Sequence, residues 1–319
     1  MSDTLPSELD PEVAPVVRKF DLVMGEPGLS IDEMRRRYGS LLAEQGAATH
    51  KVPTRDIEIP TRHGSMRARL YLPPVEAAPL LIYMHGGGFM VGDLDCLEKP
   101  LHELSRGARI AILSLDYALA PEHVYPVALE QCLDAIQWAA KKRAEWSLST
   151  EALGIGGDSA GGNLAALLAL KVRDAGGPRI DWQALINPVL DFPAVDEQAT
   201  ESHRTYANGP ILKHEIMSAF GAAYFADDAA KREASPLLAD DFAGLPSAFI
   251  AVAQCDPLRD DGVRYAERLI DAGVPATLKI YPGMSHNFIV MTHVSKTAQE
   301  FMQDFIKAAG SGMPCAAVR

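Results

Sequence analysis

Between a short apolar run, Leu153-Gly154-Ile155, and a long run rich in alanine and leucine lies Gly156-Gly157-Asp158-Ser159-Ala160-Gly161-Gly162. Few architectures accommodate that stretch. Gly157-Asp158-Ser159-Ala160-Gly161 has the form G-x-S-x-G, a sharp strand-to-helix turn in which small residues around a serine let strand and helix pack closely. The turn holds the serine backbone in a strained conformation and lifts its hydroxyl above a sheet edge. The following helix start aims unpaired N–H groups and the positive end of its dipole at the same place. The stretch therefore demands a sheet with a helix returning over it, and it nominates Ser159 as a nucleophile. A dinucleotide fingerprint, the competing reading of Gly154-x-Gly156, needs its third glycine at position 159 and fails there.

The rest of the chain supplies such a sheet. Residues 55–59 and 66–72 alternate apolar and polar around His63-Gly64, which predicts a hairpin. Residues 80–84 form a continuous apolar run of the kind buried on both sheet faces. Further strands are predicted at 109–115, 153–155, 182–186, 247–253 and 276–281, with helices over 127–142, 161–173 and 297–309. This alternation predicts an α/β fold, a mostly parallel eight-stranded sheet flanked by helices, with its active site at the carboxyl ends of the strands.

Two segments stand apart from that pattern. In residues 1–50, Asp10-Pro11 reads as a helix start, and Val13, Val16, Val17, Phe20 and Met24 share one helical face. Ser30-x-x-Glu33 reads as a capping box ahead of a second stripe, Met34, Tyr38, Leu41 and Leu42. Residues 191–235 interrupt the alternation with an amphipathic run over 213–225. The expected organisation is a helical cap made of 1–50 and 191–235 over a catalytic domain of 51–190 and 236–319.

Composition narrows the classes. With 319 residues and 48% apolar content the chain can bury one large core. A formal net charge of −12 gives no electrostatic footprint for nucleic acid. The four cysteines, Cys96, Cys132, Cys255 and Cys315, have no paired or metal-ligating spacing and read as reduced thiols. The acidic start Met1-Ser2-Asp3-Thr4 does not resemble a signal peptide, and no apolar run is long enough to span a bilayer. A cytoplasmic protein without a membrane span is expected. His102-Glu103-Leu104-Ser105-Arg106 nearly matches a zinc-binding helix but ends in Arg, so no metal is assigned.

The chemistry-bearing residues follow from position. His85-Gly86-Gly87-Gly88-Phe89 directly follows the apolar strand at 80–84 and, paired with a G-x-S-x-G turn, fits an oxyanion loop. Gly87, Gly88 and Ala160 are then the candidate N–H donors, and His85 has an anchoring role. The acid and base of a triad follow the serine in the chain, which leaves His203, His214, His286 and His293 of the nine histidines. Only His286 lies in a loop just beyond a strand. Asp256, close behind the 247–253 strand, is the expected acid. Asp260 and Asp261, the alternatives, fall where a helix's first turn would explain them.

Five motifs in order, His85-Gly86-Gly87-Gly88-Phe89, Asp116-Tyr117-Ala118-Leu119-Ala120-Pro121-Glu122-His123, Gly157-Asp158-Ser159-Ala160-Gly161-Gly162, Asp256-Pro257-Leu258-Arg259-Asp260 and Tyr281-Pro282-Gly283-Met284-Ser285-His286-Asn287-Phe288, resemble the hormone-sensitive-lipase-type (bacterial family IV) carboxylesterases of the α/β-hydrolase superfamily. The resemblance covers roughly residues 50–310. It implies acyl transfer through Ser159, Asp256 and His286 without a cofactor, with His85, Asp116, Glu122 and Asp158 as structural support of the site. The chain departs from it at Ala118, where the family usually has Arg, and at Asn287, where Gly is common. The resemblance also implies short acyl chains and a homodimer through the edge strand at 276–281. An amidase or formamidase on the same triad is an alternative, and a silent small-molecule receptor a more distant one, since such receptors can lose the histidine retained here.

Overall fold

The structure, a computed structural model, describes residues 5–26, 28–44 and 46–314. Its strands are β1 (Thr54–Thr61), β2 (Gly64–Tyr71), β3 (Leu80–Met84), β4 (Ala111–Leu115), β5 (Leu153–Asp158), β6 (Trp182–Ile186), β7 (Ser247–Cys255) and β8 (Ala276–Ser285). They form one eight-stranded sheet in the order β1-β2-β4-β3-β5-β6-β7-β8. The β1–β2 hairpin and the β2–β4 pair are antiparallel, and every later pair is parallel.

Helices α1 (Ala14–Met24) and α2 (Ile31–Ala43) precede the sheet; α3 (Glu98–Ala108), α4 (Val127–Lys142) and α5 (Ala160–Asp174) alternate with its strands. Four short helices, α6 (Phe192–Asp196), α7 (Glu201–Thr205), α8 (His214–Tyr224) and α9 (Asp228–Glu233), occupy the interruption, and α10 (Arg259–Asp271) and α11 (Lys296–Gly312) complete the chain. The two-residue period of β3 shows how both sheet faces are covered. Leu80, Ile82 and Met84 join a core that includes Leu129 and Ile136 of α4, Leu164 and Leu168 of α5 and Leu269 of α10. Leu81 and Tyr83 join another with Leu101 and Leu104 of α3 and Phe301 and Phe305 of α11. Each fully buried side chain of this kind contributes roughly 1.5–3 kcal/mol of transfer free energy.

Several sequence expectations shift. The first helix starts at Ala14 with Pro15 in its first turn, because Asp10 closes a turn of its own: Asp10 Oδ1 accepts Glu12 N–H at 2.8 Å and Asp10 O accepts Val13 N–H at 3.1 Å. Ser30 Oγ does cap α2, accepting Glu33 N–H at 3.2 Å, but the Glu33 carboxylate turns to Arg36 and Arg37. Residues 109 and 110 are not strand: Arg109 is the left-handed cap of α3 at φ 61°, so β4 begins at Ala111. The strand expected to end at residue 281 continues to Ser285. Cys96, Cys132 and Cys255 are buried; Met1-Ser2-Asp3-Thr4 and Cys315 lie outside the described residues. Among the described residues, no helix is long and apolar enough to cross a membrane.

Candidate active site

Ser159 sits between β5 and α5 at φ 53° and ψ −117°. A non-glycine residue there stores on the order of 1–3 kcal/mol of strain, and the neighbouring backbone holds it: Ser159 N–H donates to Ile186 O at 2.8 Å, and Asn163 N–H donates to Ser159 O at 3.0 Å. A Cβ on Gly161 would run into the Met84 carbonyl, and one on Gly157 into the Gly161 backbone. Glycine at these positions lets α5 cross the ends of β3 and β5 closely enough to present the serine.

Two further strands deliver the partners. His286 Nε2 lies 2.9 Å from Ser159 Oγ, and His286 Nδ1 lies 2.8 Å from Asp256 Oδ2. An ionised carboxylate only accepts, so Nδ1 carries the proton and Nε2 is free to accept from the hydroxyl. Asp256 Oδ1 accepts Leu258 N–H at 2.9 Å, which fixes the carboxylate plane. Exposure falls from 9% at Ser159 to 4% at His286 and 0% at Asp256, so only the hydroxyl end of the chain opens outward. The other candidates go elsewhere. Asp260 Oδ2 accepts Ser202 N–H at 2.8 Å, while Asp261 lies 3.1 Å from the buried His203 ring. His293 Nδ1 bonds Val290 O at 3.1 Å, His214 lies 3.5 Å from Ser218 Oγ on its own helix, and His102 Nδ1 accepts Val52 N–H at 3.1 Å.

The glycine loop after β3 reaches the same place: Gly87, Gly88, Ser159, Ala160 and His286 line one cavity of about 180 Å³. Gly87 has φ 123°, a conformation that a side chain would make costly. His85 Nδ1 donates to Gly86 O at 2.7 Å and its ring stacks on Tyr117 at 4.4 Å. Burial pushes this imidazole below its ordinary pKa, which keeps it neutral. Asp158 is buried beneath the loop, accepting Tyr83 O–H at 3.2 Å; burial pushes its carboxyl up to about 6. Asp116 pairs with Arg67 at 3.3 Å, and burial raises its carboxyl too. Ala118, without a guanidinium, is held through its N–H by Gln131 Oε1 at 2.8 Å. Glu122 is bound by Arg35 of α2 at 2.7 Å.

Helices outside the sheet close the cavity. Phe20 and Met24 of α1, Met34 and Tyr38 of α2, Phe192 of α6 and Ile216, Met217 and Phe220 of α8 line it. Phe89 stacks on Tyr224 at 4.0 Å, fastening α8 to the glycine loop. Asn287 stands at φ 64° and ψ 17°, a left-handed position that asparagine tolerates better than most residues.

Residues 81–290 match a family described by its α/β hydrolase fold. The chain belongs to this family. The hormone-sensitive-lipase-type likeness read from its motifs stands with that membership. This α/β hydrolase is 36% identical to Esterase LipI of Mycobacterium tuberculosis over 77% of its own length and 78% of the relative's. It is 32% identical to an ethyl acetate hydrolase of Pseudomonas putida over 91% of its length and 93% of that protein's. A solved thermostable esterase from Pseudomonas putida superimposes with a TM-score of 0.91 at 28% identity, covering 98% of this chain and all of the other.

Residues of this hydrolase that the sequence reading passed over include Arg35 and Phe220, while Tyr38 and Asn287, read only as a stripe residue and a departure from the family, both line the cavity. Arg35 carried a usable signal: it adjoins Met34 and precedes Tyr38 on the stripe of α2, a cation at the edge of a face otherwise meant for burial.

Proposed function

We propose that this α/β hydrolase is a carboxylic ester hydrolase that cleaves short-to-medium-chain acyl esters through an acyl-enzyme on Ser159. The observation that carries the reading is the continuous chain from Asp256 through His286 to Ser159, 2.8 Å and then 2.9 Å, ending in an apolar cavity. His286 Nε2 takes the Ser159 proton as Oγ bonds to the ester carbonyl carbon. Asp256 holds Nδ1–H and stabilises the imidazolium. The N–H groups of Gly87, Gly88 and Ala160 receive the developing oxyanion; removing one such donor in a serine hydrolase typically costs about 10²–10³-fold in kcat. The tetrahedral adduct expels the alkoxide, which takes the proton from His286. Water then repeats the sequence, giving its proton to His286 and releasing the acid and free Ser159.

His85, Asp116, Glu122 and Asp158 serve as support beneath and beside the glycine loop, and 1–50 with 191–235 act as the cap. The names of the relatives, an esterase and an ethyl acetate hydrolase, favour esters over the amide alternative, and the small apolar cavity favours short chains. Association through β8, the edge strand on which Ile280 is 47% exposed, and a cytoplasmic location with reduced cysteines belong to the same proposal. The deciding experiment is hydrolysis of p-nitrophenyl butyrate by the wild type and by Ser159→Ala. Turnover lost by about 10⁴-fold or more in the variant supports the reading. Turnover unchanged moves the nucleophile elsewhere, and turnover of the matching butyranilide alone establishes the amidase.

A further inference from the structure

Arg35 lies on a helix that contributes nothing to the sheet, yet its guanidinium reaches both loops behind the oxyanion site. Nε–H donates to Met90 O at 2.9 Å, Nη1 to Glu122 Oε1 at 2.8 Å, and Nη2 to Glu122 Oε2 at 2.7 Å and Ala120 O at 3.0 Å. Four bonds from a planar group fix its orientation as well as its position. Glu122 is half exposed, so the ion pair alone holds little in water; its part is to aim the guanidinium at the two carbonyls.

Those carbonyls belong to the glycine loop's own bracing. Ala120 N–H donates to Phe89 O at 2.8 Å, and Met90 N–H and Val91 N–H donate to Gly87 O at 3.1 and 3.0 Å. Gly87 C=O and Gly88 N–H share one planar peptide and point in opposite directions. Fixing the Gly87 oxygen from behind therefore aims the Gly88 N–H forward into the cavity. One turn further along α2, Tyr38 lines the same cavity as Asn287, the neighbour of His286. The face of α2 that braces the oxyanion loop through Arg35 therefore also borders the cavity beside the histidine loop.

We propose that Arg35 is a positioning residue for ester cleavage: by holding the Met90 and Ala120 carbonyls from α2, it sets the direction of the Gly88 N–H and couples docking of the N-terminal helices to oxyanion stabilisation. This rests on the esterase reading above.

The test compares wild type, Arg35→Met, Arg35→Lys and Arg36→Gln on p-nitrophenyl butyrate, with a trifluoromethyl ketone of matching chain as a probe. The ketone adds reversibly to Ser159 and places a charged oxygen in the oxyanion site. Arg35→Met lowers kcat by about 10-fold or more, with KM within about twofold, and weakens the ketone by the same factor. Binding of butyrate, which lacks the tetrahedral oxygen, stays within about twofold. Arg35→Lys retains part of the activity, because an ammonium reaches some of the acceptors without matching their plane. Added guanidinium ion at low millimolar concentration restores part of kcat to Arg35→Met. Arg36, 66% exposed and paired with Glu33 on the outer side of α2, leaves both readouts unchanged when replaced. A loss confined to KM, or a fall in kcat without a matching loss of ketone affinity, overturns the proposal, as does wild-type kcat in Arg35→Met. Should Arg35→Met fail to fold, Glu122→Gln, which loosens the aim of the same guanidinium, must show the same paired loss on a smaller scale. A wild type inactive on every ester refutes the esterase reading itself, and the proposal falls with it.

Discussion

Ser159, Asp256 and His286 each occupy the position immediately after the last residue of a strand, β5, β7 and β8. Phe20, Met34 and Phe220 face the same cavity from α1, α2 and α8, joined to it by side-chain contact and not by a backbone ladder. The first group owes its geometry to the sheet, where spacing and direction are quantised by hydrogen bonds. The second owes its geometry to packing between helices, which admits many solutions of similar energy. On the proposed reading, chemistry is placed on the rigid region, and the shape of the substrate is left to the adaptable one.

The largest expected effect tests the rigid side. Asp256→Asn leaves the side-chain volume unchanged but no longer dictates the His286 tautomer, and kcat falls by about 10⁴-fold. A fall under tenfold in steady-state assays would show that another group orients the imidazole.

Next comes the buried carboxyl under the glycine loop. Asp158 titrates near 3.8 when unfolded and about 6 when folded, so the folded state keeps its proton longer. Its contribution to stability is complete below pH 4 and is lost as pH rises through 6, on the order of 3 kcal/mol. Denaturant titrations of wild type and Asp158→Asn between pH 4 and 7 should show the difference in stability between them shifting by that amount in the variant's favour. Parallel pH profiles would mean that the carboxylate is solvated or better bonded than burial implies.

On the adaptable side, the Phe220 ring lies against Gly88 so closely that a Cβ there would overlap it. Phe220→Ala should raise the octanoate-to-butyrate ratio of kcat/KM by about 10-fold, read from a p-nitrophenyl ester series. An unchanged ratio would place the length limit elsewhere in the cap. The smallest effect is expected at the outer seam of the cap, where Lys19 and Glu44 join α1 to α2 with both side chains 52% exposed. Lys19→Met should change stability by less than about 1 kcal/mol and leave ester turnover alone; a larger loss in thermal unfolding would show that this seam governs docking of the helix pair.

The same contrast explains what could be read from the sequence. The elbow, the glycine loop, Asp256 and His286 were legible because strained turns and strand ends demand particular residue types. The two-residue and continuous apolar patterns located the sheet for a similar reason. Helix α3 escaped notice because Pro100 and Gly107 interrupt its sequence, and because its left-handed cap is Arg109 instead of the glycine that usually marks such an end. Arg35 escaped because, besides Glu122, its partners are carbonyls of loops 55 and 85 residues away, and a carbonyl leaves no trace in residue identity. Phe220 was one apolar residue of an amphipathic helix, and periodicity does not say which of them meets Gly88.

Cys255 and Ser285 are partners across the β7–β8 ladder, beyond a register shift after Ala253. Asp256 and His286 directly follow the two strands, so this hydrogen-bonded pair is connected by two routes: a covalent one through α10 and a transverse one through the ladder. Only the transverse route sets their separation. The covalent route passes the exposed Gly273, at φ 75° with open space around its Cα, and can be lengthened there without being felt at the dyad. That turn is a natural graft point, where a reporter or binding module could be spliced into the enzyme while the Asp256–His286 contact keeps its spacing.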